Sequence, residues 1–213
     1  MKKKLISEFL GTYFLIFAGT GAVVIDTITR SLTHVGVALT FGLVVMALIF
    51  TFGHLSGAHF NPAVTVGFFI HGDIKKREAI YYIIIQIIAG MAASLTLLGL
   101  LGNIASLGTT IPRGSWPQSF VLEFILTFFL MMVILGSAVH GRALKSFAGI
   151  AIGATVGLEA MFAGPISGAS MNPARSIGPA LVSGTTQHLW VYIVAPIIGA
   201  SCAAIIYKIL HEK

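Results

Sequence analysis

Apolar residues in this chain gather into six stretches, approximately residues 5–27, 34–52, 79–101, 120–139, 147–163 and 189–209. Each is close to the ~20 residues a helix needs to cross a hydrocarbon core roughly 30 Å thick. Two shorter apolar pieces remain, residues 62–70 and 173–182. At 1.5 Å per residue each rises only about 14 to 15 Å, half a bilayer, so neither can span it. They read as half-helices that re-enter from the side they leave. Only 9% of the 213 residues are charged, against roughly 25% in soluble domains. That deficit excludes a soluble globule, and a chain this apolar buries too much surface to stay disordered. The first stretch is too long for the apolar part of a cleaved leader and is expected to remain a span. The one cysteine, Cys202, lies in an apolar run and reads as a packing residue without a disulfide partner.

A net charge of +6 could suggest nucleic acid, but the placement of the basic residues points to a bilayer instead. If the N-terminus is cytoplasmic, the inner segments hold Lys2, Lys3, Lys4, Lys75, Lys76, Arg77, Arg142, Lys145, Lys208 and Lys213. The outer loops hold only Arg30 and Arg113. This bias predicts a multi-pass protein with both termini cytoplasmic, and short termini favour a microbial plasma membrane. Trp116 and Trp190 fall at outer ends of spans and Tyr81, Tyr82 and Tyr207 at inner ends, which reads as interfacial anchoring. Arg175 alone among the basic residues has no place in this scheme.

The chain repeats itself. Residues 8–22 (EFLGTYFLIFAGTGA) align with residues 123–137 (EFILTFFLMMVILGS), and residues 56–67 (SGAHFNPAVTVG) match residues 167–178 (SGASMNPARSIG) at seven of twelve positions. One channel domain therefore spans 1–213, with repeat one over about 1–101 and repeat two over about 118–213. Each repeat holds three spans and one half-helix. Three is odd, so the second repeat enters the membrane inverted and the tips of the half-helices meet near the midplane. Each half-helix opens with Asn-Pro-Ala, at Asn61, Pro62, Ala63 and at Asn172, Pro173, Ala174. Asparagine is a favoured N-cap, and proline at the first helical position has no N–H to leave unpaired. Two helix N-termini directed at one point carry roughly half a positive charge each, which repels cations. The capping asparagines are expected to turn amide donors toward a passing oxygen. Irregular backbone before each half-helix is tolerable only along a water-filled path. The pattern predicts an all-α membrane protein with a narrow pore for neutral, hydrogen-bonding solutes.

Paired Asn-Pro-Ala motifs on inverted three-span repeats, the Glu8/Glu123 pair and Asn-Pro-Ala-Arg in the second copy resemble the aquaporin, or major intrinsic protein, family over essentially the whole chain. The resemblance implies a right-handed bundle of six transmembrane helices and two half-helices, assembled as a homotetramer with one pore per protomer. It makes Arg175 part of an outer constriction, where a cation in the first turn of a half-helix would otherwise oppose the dipole and sit at a costly depth. By the same resemblance, distance from the motifs carries Phe41, Ala160 and Ala169 over to the same ring. Strict water channels of the family have histidine where this chain has Ala160, and glycerol facilitators have aspartate where it has Ser176. Residues 164–180 (GPISGASMNPARSIGPA) and 191–196 (VYIVAP) look most like the nodulin-26-like branch. That resemblance implies passage of glycerol-like polyols, urea and undissociated metalloid acids besides water.

Glu8 and Glu123 sit one turn into their spans, where each can accept backbone N–H bonds from a re-entrant loop, with His59 as a further polar loop residue. Glu159 has no repeat partner and adjoins Ala160; it either accepts bonds from a loop behind the filter or reaches Arg175. His54 and His59 are five apart with no Cys, Asp or Glu beside them, so no metal site is expected. No cofactor motif and no nucleophile-base pair is visible, so an enzyme is not expected. The glycines at 149, 153 and 157, and the small residues at 195, 199 and 203, predict close helix contacts. A strict water channel is one alternative, and a secondary transporter with broken helices is a second.

Overall fold

The residues before and after each apolar stretch decide where its helix stops. A computed structural model describes residues 1–141 and 143–211, and eight α-helices run through them. They are α1 (Lys2–Thr29), α2 (Thr33–Ser56), α3 (Pro62–His71), α4 (Lys76–Leu101), α5 (Trp116–Ile134), α6 (Ala148–Ser167), α7 (Pro173–Ser183) and α8 (Val191–His211). No strand occurs among the described residues. The helices overrun most of the apolar stretches at their polar ends, because lysine can continue a helix past the hydrocarbon while its ammonium reaches water. Thus α1 begins at Lys2 and α4 at Lys76, tied by a Lys4 Nζ to Glu78 Oε1 bond of 2.8 Å. The fourth span closes differently from a plain helix, since α5 passes into a π turn over Leu135–Val139. Arg142 and Lys213 of the basic-residue pattern lie outside the described residues.

The six long helices cross the bundle and the short helices α3 and α7 reach in from opposite ends, so the two repeats are inverted copies. Both re-entrant segments start the same way. Gly57 and Gly168 close α2 and α6 in the left-handed region at φ 87° and 91°, where a residue with a Cβ is strained.

Small residues let the helices approach. A methyl on Gly42 of α2 would lie 2.7 Å from the Gly153 carbonyl oxygen of α6, and one on Gly199 of α8 would strike the Phe124 carbonyl oxygen of α5. Gly178 of α7 meets the backbone of Gly90 on α4 at 2.5 Å by the same measure. Backbone contact of this kind supplies packing where lipid and side chains are equally apolar.

Two tyrosines depart from the interfacial role the sequence suggests. Tyr82 is 1% exposed and donates to the Ser56 carbonyl at 2.8 Å, and Tyr207 is also buried. Both lie at the end of an apolar stretch, but on the inward face of their helices. Trp116 and Trp190 instead pair edge to face with ring centroids 5.1 Å apart, and both stay exposed.

The glycine contacts differ in tolerance. Gly178→Ala forces two backbones apart and is expected to cost about 1–3 kcal/mol. It should lower the apparent unfolding temperature of the purified protein, whereas Gly99→Ala, with nothing within 4 Å, should leave it unchanged or raise it.

Candidate functional site

The re-entrant segments between each long helix and its half-helix carry alternate residues in the left-handed region, Ala58 (φ 53°) and Phe60 (φ 49°) in the first, Ala169 (φ 41°) and Met171 (φ 53°) in the second. Each such residue costs roughly 1–2 kcal/mol. Two buried carboxylates offset that cost. Glu8 Oε1 accepts from Ser56 Oγ (2.7 Å) and the His59 amide (3.0 Å), and its Oε2 accepts from the Phe60 amide (2.8 Å) and Gln86 Nε2 (2.8 Å). In the second repeat, Glu123 Oε1 accepts from Ser167 Oγ and the Ser170 amide, both at 2.8 Å, and Oε2 from the Met171 amide at 2.8 Å. Both glutamates are fully buried, where charge-assisted bonds to backbone N–H groups are strongest.

Each loop delivers an asparagine to a half-helix. Asn61 Oδ1 caps α3 through the amides of Ala63 (2.8 Å) and Val64 (3.4 Å); Asn172 Oδ1 caps α7 through those of Ala174 (3.0 Å) and Arg175 (3.4 Å). Their amide nitrogens are not both free for the lumen. Asn61 Nδ2 donates to the Met171 carbonyl at 2.7 Å, and Asn172 Nδ2 donates to the Phe60 carbonyl at 2.9 Å. One hydrogen of each NH2 therefore links the opposing loop, and one remains for another acceptor. Both asparagines line the larger of two cavities, about 760 Å³ in volume. His54 and His59 line it as well. The His59 ring bonds Thr65 Oγ1 through Nδ1 (3.1 Å) and stacks on Phe68 with centroids 4.3 Å apart.

A second cavity of about 550 Å³ opens at the other end of the bundle. Phe41, Ala160 and Arg175 line both cavities, and Ala169 lines the larger. Of the four residues that the resemblance named, Phe41, Ala160 and Arg175 thus stand where the two cavities meet, and Ala169 stands in the wall of the larger. Phe41 is seated by Gly19, where a methyl would strike its ring. The Arg175 guanidinium lies over that ring, 5.0 Å from its centroid, and Nη1 donates to the Gly108 carbonyl at 2.6 Å. Its Nε is buried with no partner among the described residues. Gly108 is presented by a left-handed turn at Ala105, Ser106 and Leu107.

Ser176, one residue beyond Arg175, is fully buried and holds Ser170 Oγ and Thr110 Oγ1, each at 2.6 Å. It ties the connection before α5 to the second re-entrant loop. Thr65 stands at the matching place in repeat one and bonds His59 and Gln86 instead. Glu159 is 1% exposed and neither of its oxygens has a partner among the described residues; Arg175 bonds elsewhere, so neither the expected loop bond nor the Arg175 pairing is formed. The motifs did not point to Gln86, Gly19 or the Tyr82 and Tyr192 hydroxyls, which donate to the Ser56 and Ser167 carbonyls. Ser56 and Ser167 carried a visible signal as identities in the twelve-residue repeat, and Ser176 as the residue that differs from glycerol facilitators. No group of three or more metal-ligating side chains occurs among the described residues.

A lumen between six long helices, interrupted where two half-helices meet head to head, defines a polytopic α-helical channel. The profile of the Major intrinsic protein family matches residues 1–207. The chain is 49% identical over 213 residues to "Probable aquaporin NIP-type" of Nicotiana alata, covering 99% of this chain and 78% of that protein. It is 46% identical over 211 residues to Nodulin-26 of Glycine max, covering 98% and 78%. Among solved structures, the aquaglyceroporin from Plasmodium falciparum superposes with a TM-score of 0.85 at 28% identity, covering 97% of this chain and 95% of that one. The chain belongs to the Major intrinsic protein family, the aquaporins, whose members are passive membrane channels and not enzymes.

The glutamate anchors give a direct test. Glu8→Ala strands Ser56, Gln86 and two amides in the interior, and is expected to cost at least about 3 kcal/mol, since each buried group left unpaired costs roughly 1–3 kcal/mol. Thermal unfolding in detergent should show the loss, with Glu8→Gln intermediate because it still accepts through one oxygen.

Proposed function

We propose that the protein conducts water and small neutral solutes, glycerol-like polyols, urea and undissociated metalloid acids among them, while excluding protons and ions. The observation that carries this reading is the composition of the constriction. Phe41 gives one apolar wall, Arg175 one donor wall, and Ala160 and Ala169 leave the other two sides with single methyl groups. A ring of this kind has room for a carbon-bearing solute against Phe41 while a hydroxyl accepts from or donates around Arg175. A histidine at 160 would fill that room and add a second polar edge, which argues against a strict water filter. The likeness to NIP-type aquaporins and to an aquaglyceroporin supports the same reading.

In this reading Asn61 and Asn172 orient permeants at the midplane with their remaining amide hydrogens. Pro62, Ala63, Pro173 and Ala174 start the half-helices whose positive ends repel hydronium. Arg175 adds a full positive charge one turn outward. Glu8, Glu123 and His59 hold the loops. The entire chain acts as one channel domain. Lys2, Lys3, Lys4, Lys75, Lys76, Arg77, Lys145 and Lys208 stand at one end of the bundle and Arg30 and Arg113 at the other, which supports cytoplasmic termini and a plasma-membrane setting. A homotetramer with one pore per protomer follows the family pattern.

The filter assignment is tested by Ala160→His combined with Ala169→Thr. Glycerol flux into proteoliposomes should fall by about tenfold or more while water flux persists, since one added group in a tight pocket is worth roughly that factor. Unaltered glycerol, urea and boric acid swelling rates would overturn the assignment. Arg175→Val, which copies Val64 of the first repeat, should raise proton conductance in liposomes loaded with a pH-sensitive dye, and no rise would remove Arg175 from the cation barrier.

A further inference from the structure

At the bundle end away from the lysine clusters, the loops hold two basic residues, Arg30 and Arg113, and both line the same cavity of about 550 Å³. Arg175 lines that cavity from the constriction. Loops on the basic-poor side of a membrane protein seldom carry such residues. Local helix chemistry does not account for the pair. Arg30 caps the C-terminus of α1, where a cation is favoured, but Arg113 stands three residues before α5, at the helix end where a cation is disfavoured. Both are fixed by their backbones: the Arg30 amide donates to the Asp26 carbonyl at 2.8 Å, and the Arg113 amide donates to the Ile166 carbonyl at 3.0 Å.

Their charges are not neutralised nearby. Neither guanidinium forms an ion pair or a side-chain hydrogen bond among the described residues. Asp26, the one carboxylate in the wall, is turned to the backbone, where its Oδ1 accepts from the Leu32 and Thr33 amides at 3.1 and 2.7 Å. His34 also lines the cavity, and its Nε2 donates to the Met161 carbonyl at 2.6 Å. With His34 neutral, three arginines against one aspartate leave the wall a net charge of +2. A sphere of that volume is about 10 Å across, so an ion at its centre lies within about one Debye length of the walls.

The inner end supplies both donors and a stop. Arg175 has five N–H donors and gives one to the Gly108 carbonyl at 2.6 Å, with its guanidinium over the Phe41 ring. Guanidinium forks match the paired oxygens of an oxyanion, which a halide lacks. Past this point Ala160 and Ala169 offer only methyl groups to replace the water an ion would lose.

We propose that this cavity is a binding site for a small oxyanion of the sulfate, phosphate or carboxylate class, which docks among Arg30, Arg113 and Arg175 and obstructs the entry of neutral solutes from that side. Only the obstruction rests on the channel reading; the binding does not.

Equilibrium dialysis of radiolabelled sulfate against the purified protein in neutral detergent should show saturable binding. Arg30→Gln and Arg113→Gln, both at exposed positions, should each weaken it by about threefold, the scale of one exposed charge pair. Lys75→Gln removes the same charge from the opposite end and should leave the binding unchanged. No saturable binding, binding that the arginine variants leave intact, or equal weakening by Lys75→Gln would overturn the site. Obstruction is read as water and glycerol flux of proteoliposomes in sulfate and in chloride, at equal ionic strength and osmolarity. Each salt is present on both faces, so that either orientation of the channel meets the ion. At a sulfate concentration equal to the measured Kd half the sites are filled, and flux should fall about twofold relative to chloride. Binding with equal flux in the two salts overturns the obstruction. A protein that binds sulfate but conducts nothing in either salt overturns the channel reading and leaves the anion site standing.

Discussion

Two helix N-termini point at each other inside a membrane, and the fold works only because two asparagines make that approach favourable. Each Asn binds its own half-helix through Oδ1 and the other repeat's loop through Nδ2. The opposing partial charges would otherwise push α3 and α7 apart in a medium with little screening. Because Met171 and Phe60 supply the acceptors, neither half can be placed without the other. The loops that present those carbonyls are themselves strained at Ala58, Phe60, Ala169 and Met171. Glu8 and Glu123 hold that strain, and the close glycine contacts keep the helices bearing the glutamates in register.

Much of this order could be read directly. Stretch length separated six spans from two half-helices, and the repeat set their inversion. The family resemblance, carried over by distance from the motifs, named Phe41, Ala160, Ala169 and Arg175, and all four line the larger cavity. What could not be read was wiring. Gln86 bonds a carboxylate 78 residues away, and the asparagine cross-links join residues 110 and 112 apart. Hydropathy sees only whether a position is polar, so Tyr82 looked like an anchor at the water line although its hydroxyl serves the Ser56 carbonyl inside the bundle. The asparagine amides keep one hydrogen each, but the acceptor that claims the other belongs to the opposite repeat, which no local motif reveals.

The inverted copies make the scaffold, and the departures from symmetry make the site. Val64 faces Arg175 across the repeat, His59 faces Ser170, and Thr65 faces Ser176. In the first repeat His59, Thr65 and Gln86 form a closed network that stacks on Phe68 and ends within the repeat. In the second, the smaller Ser170 and Ser176 leave room for Thr110, so the network extends to the loop that also presents Gly108 to Arg175. Replacing an imidazole by a hydroxymethyl thus changes where a hydrogen-bond chain ends, and the outer constriction is where it ends.

This division separates two tasks that a neutral-solute pore has to perform. Under the proposed function, charge exclusion at the crossing point draws on two equivalent positive helix ends and is served by symmetry, since each half-helix contributes equally. Size selection needs unlike walls, one apolar and one donating, and symmetry would forbid it. Arg175 comes three residues after Asn172 in α7 and lies over the Phe41 ring, so the chemistry of this pair can vary without removing the asparagine cross-links. Their own supports, the Gly19 seat, the Gly108 carbonyl and the Ser176 tie, come from elements outside the two half-helices. A substitution at Ala160 or Ala169 therefore alters the cavity wall beside Phe41 and Arg175 while the asparagine cross-links between the half-helices keep their geometry.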